Sequence, residues 1–438
     1  VAAPPRRQGS LARGSDIAWI LTRHGAHHLG AIVRDRTRGV RPEVPQGAVE
    51  LRLALEDLGP TYVKLGQLLS TRGDLLPDGY AVELARLQDQ VRPIDPSVVR
   101  EVVRRELGAP VEQRFTSFDD EPLAAASIGQ VHAATWTDAD GQLHDVVVKV
   151  RRPDVAELVD ADLQLLTRVA ELVARTSAQA RAQLDPQGLA AEFAASLRRE
   201  CDFRNEADIS QQLRDRFAAT DLAVEIPWIV PSCSTAGVLT MARVRGTALS
   251  ELTPDALGPG ELAALARVYA DAFMAMVFSF GLFHADPHPG NVFVQSDGSI
   301  ALIDFGKYGR IDDELRTAMT RLLMALALHD PDQIVDALDA MQVTSATDST
   351  DRGALRDDVV ALVDRHADAD LESLDVGAVL SEMLAIIRHH RLRMPADLML
   401  LLATVVMCEG VAAELDPGFQ LQPVVLHWVG EGGLGVTA

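Results

Sequence analysis

With 438 residues, 47% hydrophobic and 24% charged, the chain is long enough for two or three packed units and too apolar to be disordered. Its net charge of −22 argues against a general nucleic-acid binder, which would carry a basic face. Three cysteines without paired spacing (Cys201, Cys233, Cys408) point to a reducing, cytoplasmic setting and give no disulfide framework or zinc site.

Residues 1–46 form a basic segment, whose first 45 residues hold eight arginines against three acids, leaving about −27 on the remainder. A basic head on an acidic body suits an anionic membrane surface or an acidic partner. The first 16 residues are polar and arginine-rich, so no signal peptide is expected. The apolar stretch Ile17–Val33 predicts a helix packed on its own protein in preference to an interfacial one. Residues 47–112 are expected as a helical extension, in which Leu51, Leu55 and Leu58 form a stripe. Gly59-Pro60 ends one helix and starts the next, proline being tolerated at a first helical position. In that next helix Lys64 and Gln67 stand at i and i+3 and share a face.

Residues 113–242 read as a small mixed lobe. Gln130–Trp136 is β-like, Asp138–Gly141 is a turn, and Val146–Val150 is a β-branched run that includes Lys149. A helix with Leu158, Leu163, Leu166, Val169, Leu172 and Val173 follows, then a more charged helix over 187–215, then strand-like pieces at Trp228–Val230 and Gly237–Met241. Residues 243–420 read as a larger helical lobe, broken by a hairpin of Val292–Gln295 and Ile300–Asp304 about a turn at 296–298, and residues 421–438 as a tail. The longest apolar run, Leu398–Cys408, is too short to span a bilayer and reads as a buried helix, so no membrane-crossing helix is expected.

The strongest chemical signal is FHADPHPGNVFV followed by ALIDFG. Asp286 and Asn291 are five apart, and Asp304 lies thirteen beyond Asn291, directly before Phe305-Gly306. Kinase phosphoryl transfer uses a catalytic-loop Asp, an Asn shortly after it, and a metal-holding Asp heading a DFG triplet. The oxygens of a nucleoside triphosphate are bridged by hard Mg²⁺, which takes carboxylate and amide oxygens as ligands. Asn291 and Asp304 are therefore the candidate metal ligands, and Asp286 the candidate acceptor of a hydroxyl proton or orienter of water. Lys149 matches the strand lysine that meets the α- and β-phosphates, although a strand-edge lysine taken alone is usually a solvated group. Its carboxylate partner stays open among Glu192, Glu200, Asp202 and Glu206.

Two features of a protein kinase are missing. The loop ahead of the lysine strand lacks GxGxxG and reads Ala124-Ala125-Ala126-Ser127, with Gly129 as its single glycine, so methyl groups crowd the place of the phosphates. After Gly306, KYGRIDDELR runs almost at once into a helix and leaves no platform for a peptide, which makes protein a poor substrate.

Together these residues resemble the UbiB-type (AarF-domain) family of atypical kinase-like ATPases. Lys64-Leu65-Gly66-Gln67 is similar to its helical KxGQ motif, AAASIGQVH to its alanine-rich loop, Glu200-Cys201-Asp202 with Glu206 to its ExD region, and MPADLMLLLATVVMCEG at 394–410 to its downstream pattern. The resemblance covers roughly residues 48–420. It implies an α+β, bilobal protein-kinase-like fold: a small mixed N-lobe, a large helical C-lobe, and an N-terminal helical extension over the nucleotide cleft. It implies Mg²⁺ with ATP or ADP as ligand, Lys149 paired with Glu206, and Asn291 and Asp304 on magnesium. It also implies that Lys64, Gly66 and Gln67 cover the cleft, that Lys64 meets Glu200 and Asp202, and that Met241 lies at the adenine hinge. The chain departs from the pattern at Ala242, where relatives often carry an acidic residue. Many relatives continue past a position like Asp416 into membrane helices, so attachment here is expected through the basic head, a partner, or residues outside the given sequence. The implied activity is ATP hydrolysis coupled to lipid or isoprenoid-quinone metabolism, peripheral at a membrane. The partners expected are a nucleotide, a lipid or quinone intermediate, an anionic membrane surface and a second copy of the chain. Two other readings stay open: a catalytically silent nucleotide-binding scaffold, and a small-molecule kinase with Asp286 as base.

Overall fold

The computed structural model describes residues 17, 19–20, 22–23, 45–71, 79–87, 93–176, 185–253, 257–341, 343–345, 351–366, 376–390 and 392–433. Most of the basic head, and with it most of Ile17–Val33, lies outside the described residues. Backbone contacts divide the chain into two units, Val1–Asn205 with Val230–Met241, and Glu206–Ile229 with Ala242–Ala438.

The first unit begins with helices α1 (Gln46–Leu58), α2 (Pro60–Thr71) and α3 (Tyr80–Leu84). Gly59 adopts φ 105°, which favours glycine, and Pro60 opens α2, where its missing N–H breaks no helical bond. Leu55, Leu58, Tyr62, Leu84 and Leu87 close a small apolar core that Ile20 joins. Trp19 stays exposed beneath the Arg23 guanidinium while Ile20 is buried, so the described residues before α1 pack on their own unit through Ile20. Glu83 is buried and accepts from Arg52 Nε at 2.8 Å and Arg86 at 2.9 Å, a paired charge that ties α1 to α3.

Helix α4 (Pro96–Leu107), capped by Asp95, and the short α5 (Val111–Arg114) lead into a sheet. Strands β1 (Ser117–Ala125), β2 (Gly129–Thr137) and β3 (Leu143–Arg151) form an antiparallel meander, extended on the far side by Val238–Ala242. Along β3, Val146, Val148 and Val150 are fully buried, and the intervening Val147 and Lys149 take the other face, as the period of two demands. The strand character expected from residue 114 onward gives β1 no bounds of its own, because its Asp-Asp-Glu-Pro stretch is mostly exposed and shows no apolar alternation.

Helix α6 (Val155–Thr176) buries Val159 and Leu163 but exposes Val169 and Leu172, so its apolar stripe is wider than its buried face. The single helix expected over 187–215 is two: α7 (Pro186–Glu200) and α8 (Phe203–Phe217). Asp202 makes the break by accepting the Arg204 N–H at 3.1 Å, a side-chain cap that competes with helix continuation.

In the second unit, strand β4 (Val224–Glu225) stands beside a hairpin whose strands are Val292–Val294 and Ile300–Leu302, with Thr247–Ala248 on its other edge. Gly298 turns this hairpin at φ 84°. A long helix, α9 (Pro259–Met274), widens into a π segment over Ala275–Phe280 and stops at Gly281, φ 60°. Leu282–His284 then pairs antiparallel with Tyr308–Arg310. Six helices complete the unit: α10 (Asp313–Ala327), α11 (Pro331–Ala340), α12 (Arg352–His366), α13 (Val376–His389), α14 (Ala396–Leu415) and α15 (Leu421–Gly433).

Three expectations are corrected here. Residues 421–433 are not a tail: Leu421, Val424 and Trp428 of α15 are buried in the core, and Trp428 Nε1 donates to Asp271 at 2.9 Å. A two-residue pairing, Thr344–Ser345 with Leu392–Arg393, interrupts a stretch read as wholly helical. Helix α14 outlasts the run Leu398–Cys408, because Glu409 and Gly410 interrupt the apolar run without ending the helix. It and Pro259–Phe280 are long and apolar enough to cross a membrane by length and composition. Both contribute to the core, α14 through Leu398, Leu401, Cys408 and Val411.

Candidate functional site

In the first unit Lys149 stands on β3 opposite Val131, with its ammonium 5.3 Å from the centre of the buried Phe203 ring. The alanine-rich stretch is only partly a loop. Ala124 and Ala125 are β1 residues paired with Val131 and Gln130, and the chain turns over Ala126–Ile128. That turn is clipped on both sides: Ala126 N donates to Gly129 O at 2.8 Å, and Arg152 donates from Nε to Ala126 O at 2.9 Å and from its backbone N to Ile128 O at 2.8 Å. Gly129 is required, since a Cβ there would lie 2.7 Å from Val150 O. Ser127 is buried, and its hydroxyl has no hydrogen-bond partner among the described residues. An orphaned hydroxyl in a tight turn is costly unless something else bonds it.

The KxGQ segment lies on α2. Lys64 Nζ is 2.5 Å from Glu200 Oε1, with the two side chains 10% and 19% exposed. A Cβ at Gly66 would overlap Leu87 and approach Leu55 Cδ1 to 2.8 Å, so this glycine lets the helix seat closely. Gln67 Nε2 donates to Leu87 O at 3.2 Å, and its amide oxygen is buried without a hydrogen-bond partner among the described residues. At the α7–α8 break, Arg151 donates to Cys201 O at 2.5 Å. The Asp202 carboxylate accepts from Arg204 at 2.5 and 2.9 Å, a bond that holds it below the usual carboxylate range. Of the four acids left open as partners of Lys149, Glu200 is thus engaged with Lys64 and Asp202 with Arg204. Glu206 is buried, 4% exposed. Met241 is also buried, on the strand that extends the sheet.

In the second unit the hairpin does what the spacing requires. Ile303 N donates to Asn291 O at 3.0 Å, bringing Asn291 beside the residue before Asp304. Asn291 Nδ2 donates to Asp286 O at 3.0 Å, which leaves the amide oxygen as the ligand atom. Asp304 adopts φ 60°, a conformation that non-glycine residues seldom hold and that gathers at functional sites. Its carboxylate is exposed, while Phe305 beside it is buried and anchors the turn. His284 beneath is buried and kept neutral by desolvation: its Nε2–H donates to Ile303 O at 3.0 Å, and Nδ1 accepts from Asp286 N at 3.2 Å. One carboxylate and one amide oxygen form a hard donor set that fits Mg²⁺.

Lys307 is the functional residue that sequence reasoning missed. Its Nζ donates to Asp286 Oδ2 at 2.8 Å. Burial pushes the Asp286 carboxyl up, but the charge and hydrogen bond of Lys307 outweigh burial and hold it below its ordinary value. Strand pairing creates the contact: His284 opposes Tyr308, and Ala285 N donates to Lys307 O at 3.2 Å. The available signal was a cation directly after Asp304-Phe305-Gly306.

Residues 86–338 match the ABC1 atypical kinase-like domain, and residues 359–420 match the UbiB helical domain. Among solved structures, that of the Rv3197–erythromycin complex from Mycobacterium tuberculosis is similar in fold, with a TM-score of 0.51 and 21% identity over 90% of this chain and 99% of that one. Residues 86–338, which hold the β1–β3 sheet and the Asp286–Asn291–Asp304 region, thus form a kinase-like domain followed by a UbiB helical region, and the chain belongs to the ABC1 atypical kinase-like family.

Proposed function

We propose that the chain is an atypical ATPase that binds Mg²⁺ with ATP or ADP and serves lipid or isoprenoid-quinone metabolism. The observation that carries this reading is the Asp286 region, where an ionised carboxylate, a buried amide and the strained Asp304 gather at the base of one hairpin. Asn291 and Asp304 would hold magnesium, whose chemistry is to neutralise phosphate charge. Asp286 orients water: Lys307 engages Oδ2, so the other oxygen accepts the proton. Lys149 is the candidate phosphate cation of the first unit, and Glu206 a buried carboxylate of the second. The orphaned hydroxyl of Ser127 supports a role for its turn in bonding a phosphate oxygen.

A clipped, methyl-lined turn in place of a glycine loop favours slow turnover, and the basic head favours an anionic surface as the site of action. A silent scaffold is the second reading, favoured by that same turn.

The test combines melting with phosphate release. Mg²⁺ and ATP at about a hundred times Kd should stabilise the wild type by about 2.7 kcal/mol. Asp304→Asn should lose the magnesium-dependent part of that gain. Asp286→Asn should keep it and lose phosphate release, which anionic vesicles should raise in the wild type. Equal stabilisation of Asp304→Asn and wild type would overturn the metal assignment, and tight binding without release would leave the scaffold.

A further inference from the structure

We propose that Asp358, His389 and His390 form a surface site for a divalent transition-metal ion of the zinc class, separate from the hairpin region and independent of the nucleotide reading. Asp358 projects from α12, and the two histidines close α13. His390 Nε2 lies 2.8 Å from Asp358 Oδ2, and His389 Nε2 lies 4.0 Å from the same oxygen. All three ligand atoms fall within 4.8 Å of one another. A tetrahedral ion about 2.0–2.2 Å from each donor needs donors about 3.3 Å apart, a value the two observed separations bracket. The imidazole rings stand edge to face, 90° apart with centroids 5.0 Å apart, so two adjacent residues present nitrogens from different planes to one point.

The electrostatics favour a cation. His390 N donates to Ile386 O at 3.0 Å, which carries the helical bonding of α13 to its end and sets the partial negative charge of the helix there. Among the described residues, the ion pairs of Asp358 are with these two imidazoles. The neighbouring bridge between the same helices differs, since Glu382 is held by the permanent cation of Arg365 as well as by His366. Two nitrogens and one carboxylate oxygen select zinc, nickel or copper over magnesium or calcium. Three protein ligands leave a fourth position to water. The cysteine spacing argues only against a thiolate site, and no thiol takes part here. A bound ion would clamp α12 to α13 where the matched UbiB helical region begins.

The test uses the full chain after treatment with EDTA, titrated with ZnCl₂ by calorimetry and followed by thermal melting. One zinc per chain should bind and raise the melting temperature, and MgCl₂ at the same concentration should not. His389→Ala, at a side chain 76% exposed, should melt like the metal-free wild type yet bind zinc at least about tenfold more weakly. Asp358→Asn should weaken binding similarly, and Co²⁺ should give visible absorption in the wild type alone. Equal zinc affinity in wild type and His389→Ala, or no zinc-dependent shift in the wild type, overturns the site.

Discussion

Removing the positive charge of Lys307 would leave the Asp286 carboxylate in surroundings that favour its protonated form. In the wild type the folded-state pKa is depressed below the ordinary 3.8, so the pair contributes stability above that value and loses it as pH falls through the folded value. Lys307→Met reverses the sign, because burial then acts unopposed and penalises the ionised form at neutral pH. The Lys307 side chain is 36% exposed, so solvent screening limits the effect to about 1–2 kcal/mol at pH 7. Urea midpoints should show that loss, and Lys307→Met with Asp286→Asn should recover most of it; a single variant as stable as the wild type would mean that the pair contributes nothing. Asp286, Asn291 and Asp304 were legible in the sequence because chain spacing carries their pattern. Lys307 was not, because its place depends on which strand Tyr308 pairs with, and strands of three residues announce no partner.

At the scale of elements, two glycines on apolar helices predict opposite outcomes. Gly66 on α2 faces the packed ends of Leu55 and Leu87, so Gly66→Ala must displace buried side chains and should destabilise the first unit by about 1–3 kcal/mol. Gly410 lies inside α14 with nothing near its missing Cβ, so Gly410→Ala should stabilise by about 0.5–1 kcal/mol through helix propensity. Thermal melts of both variants check the pair, and like signs would contradict the packing described for α2. Elements bounded by turn chemistry were readable: the Gly59-Pro60 junction and the hairpin turned at Gly298 both follow from backbone rules. The break at Asp202 was hidden because a polar side chain capping its own neighbour leaves the apolar periodicity nearly intact. Helix α15 was mistaken for a tail because its burial comes from distant partners such as Asp271, which local pattern does not record.

Across the whole molecule, the three cysteines report on both units. Cys201 and Cys233 belong to the first and Cys408 to the second, and all three are free and buried. Burial pushes the Cys201 thiol up to about 12 and raises the other two as well, so reactive thiolate is scarce at pH 8. A thiol reagent must therefore wait for local or global opening. Native protein should label at none of the three sites in the time that urea-unfolded chain labels at all three. With increasing urea, labelling of Cys408 should track the loss of the second unit, and that of Cys201 and Cys233 the loss of the first, resolved by peptide mass spectrometry. Rapid native labelling of Cys408 would contradict the burial of α14, the helix whose composition alone also suits a membrane.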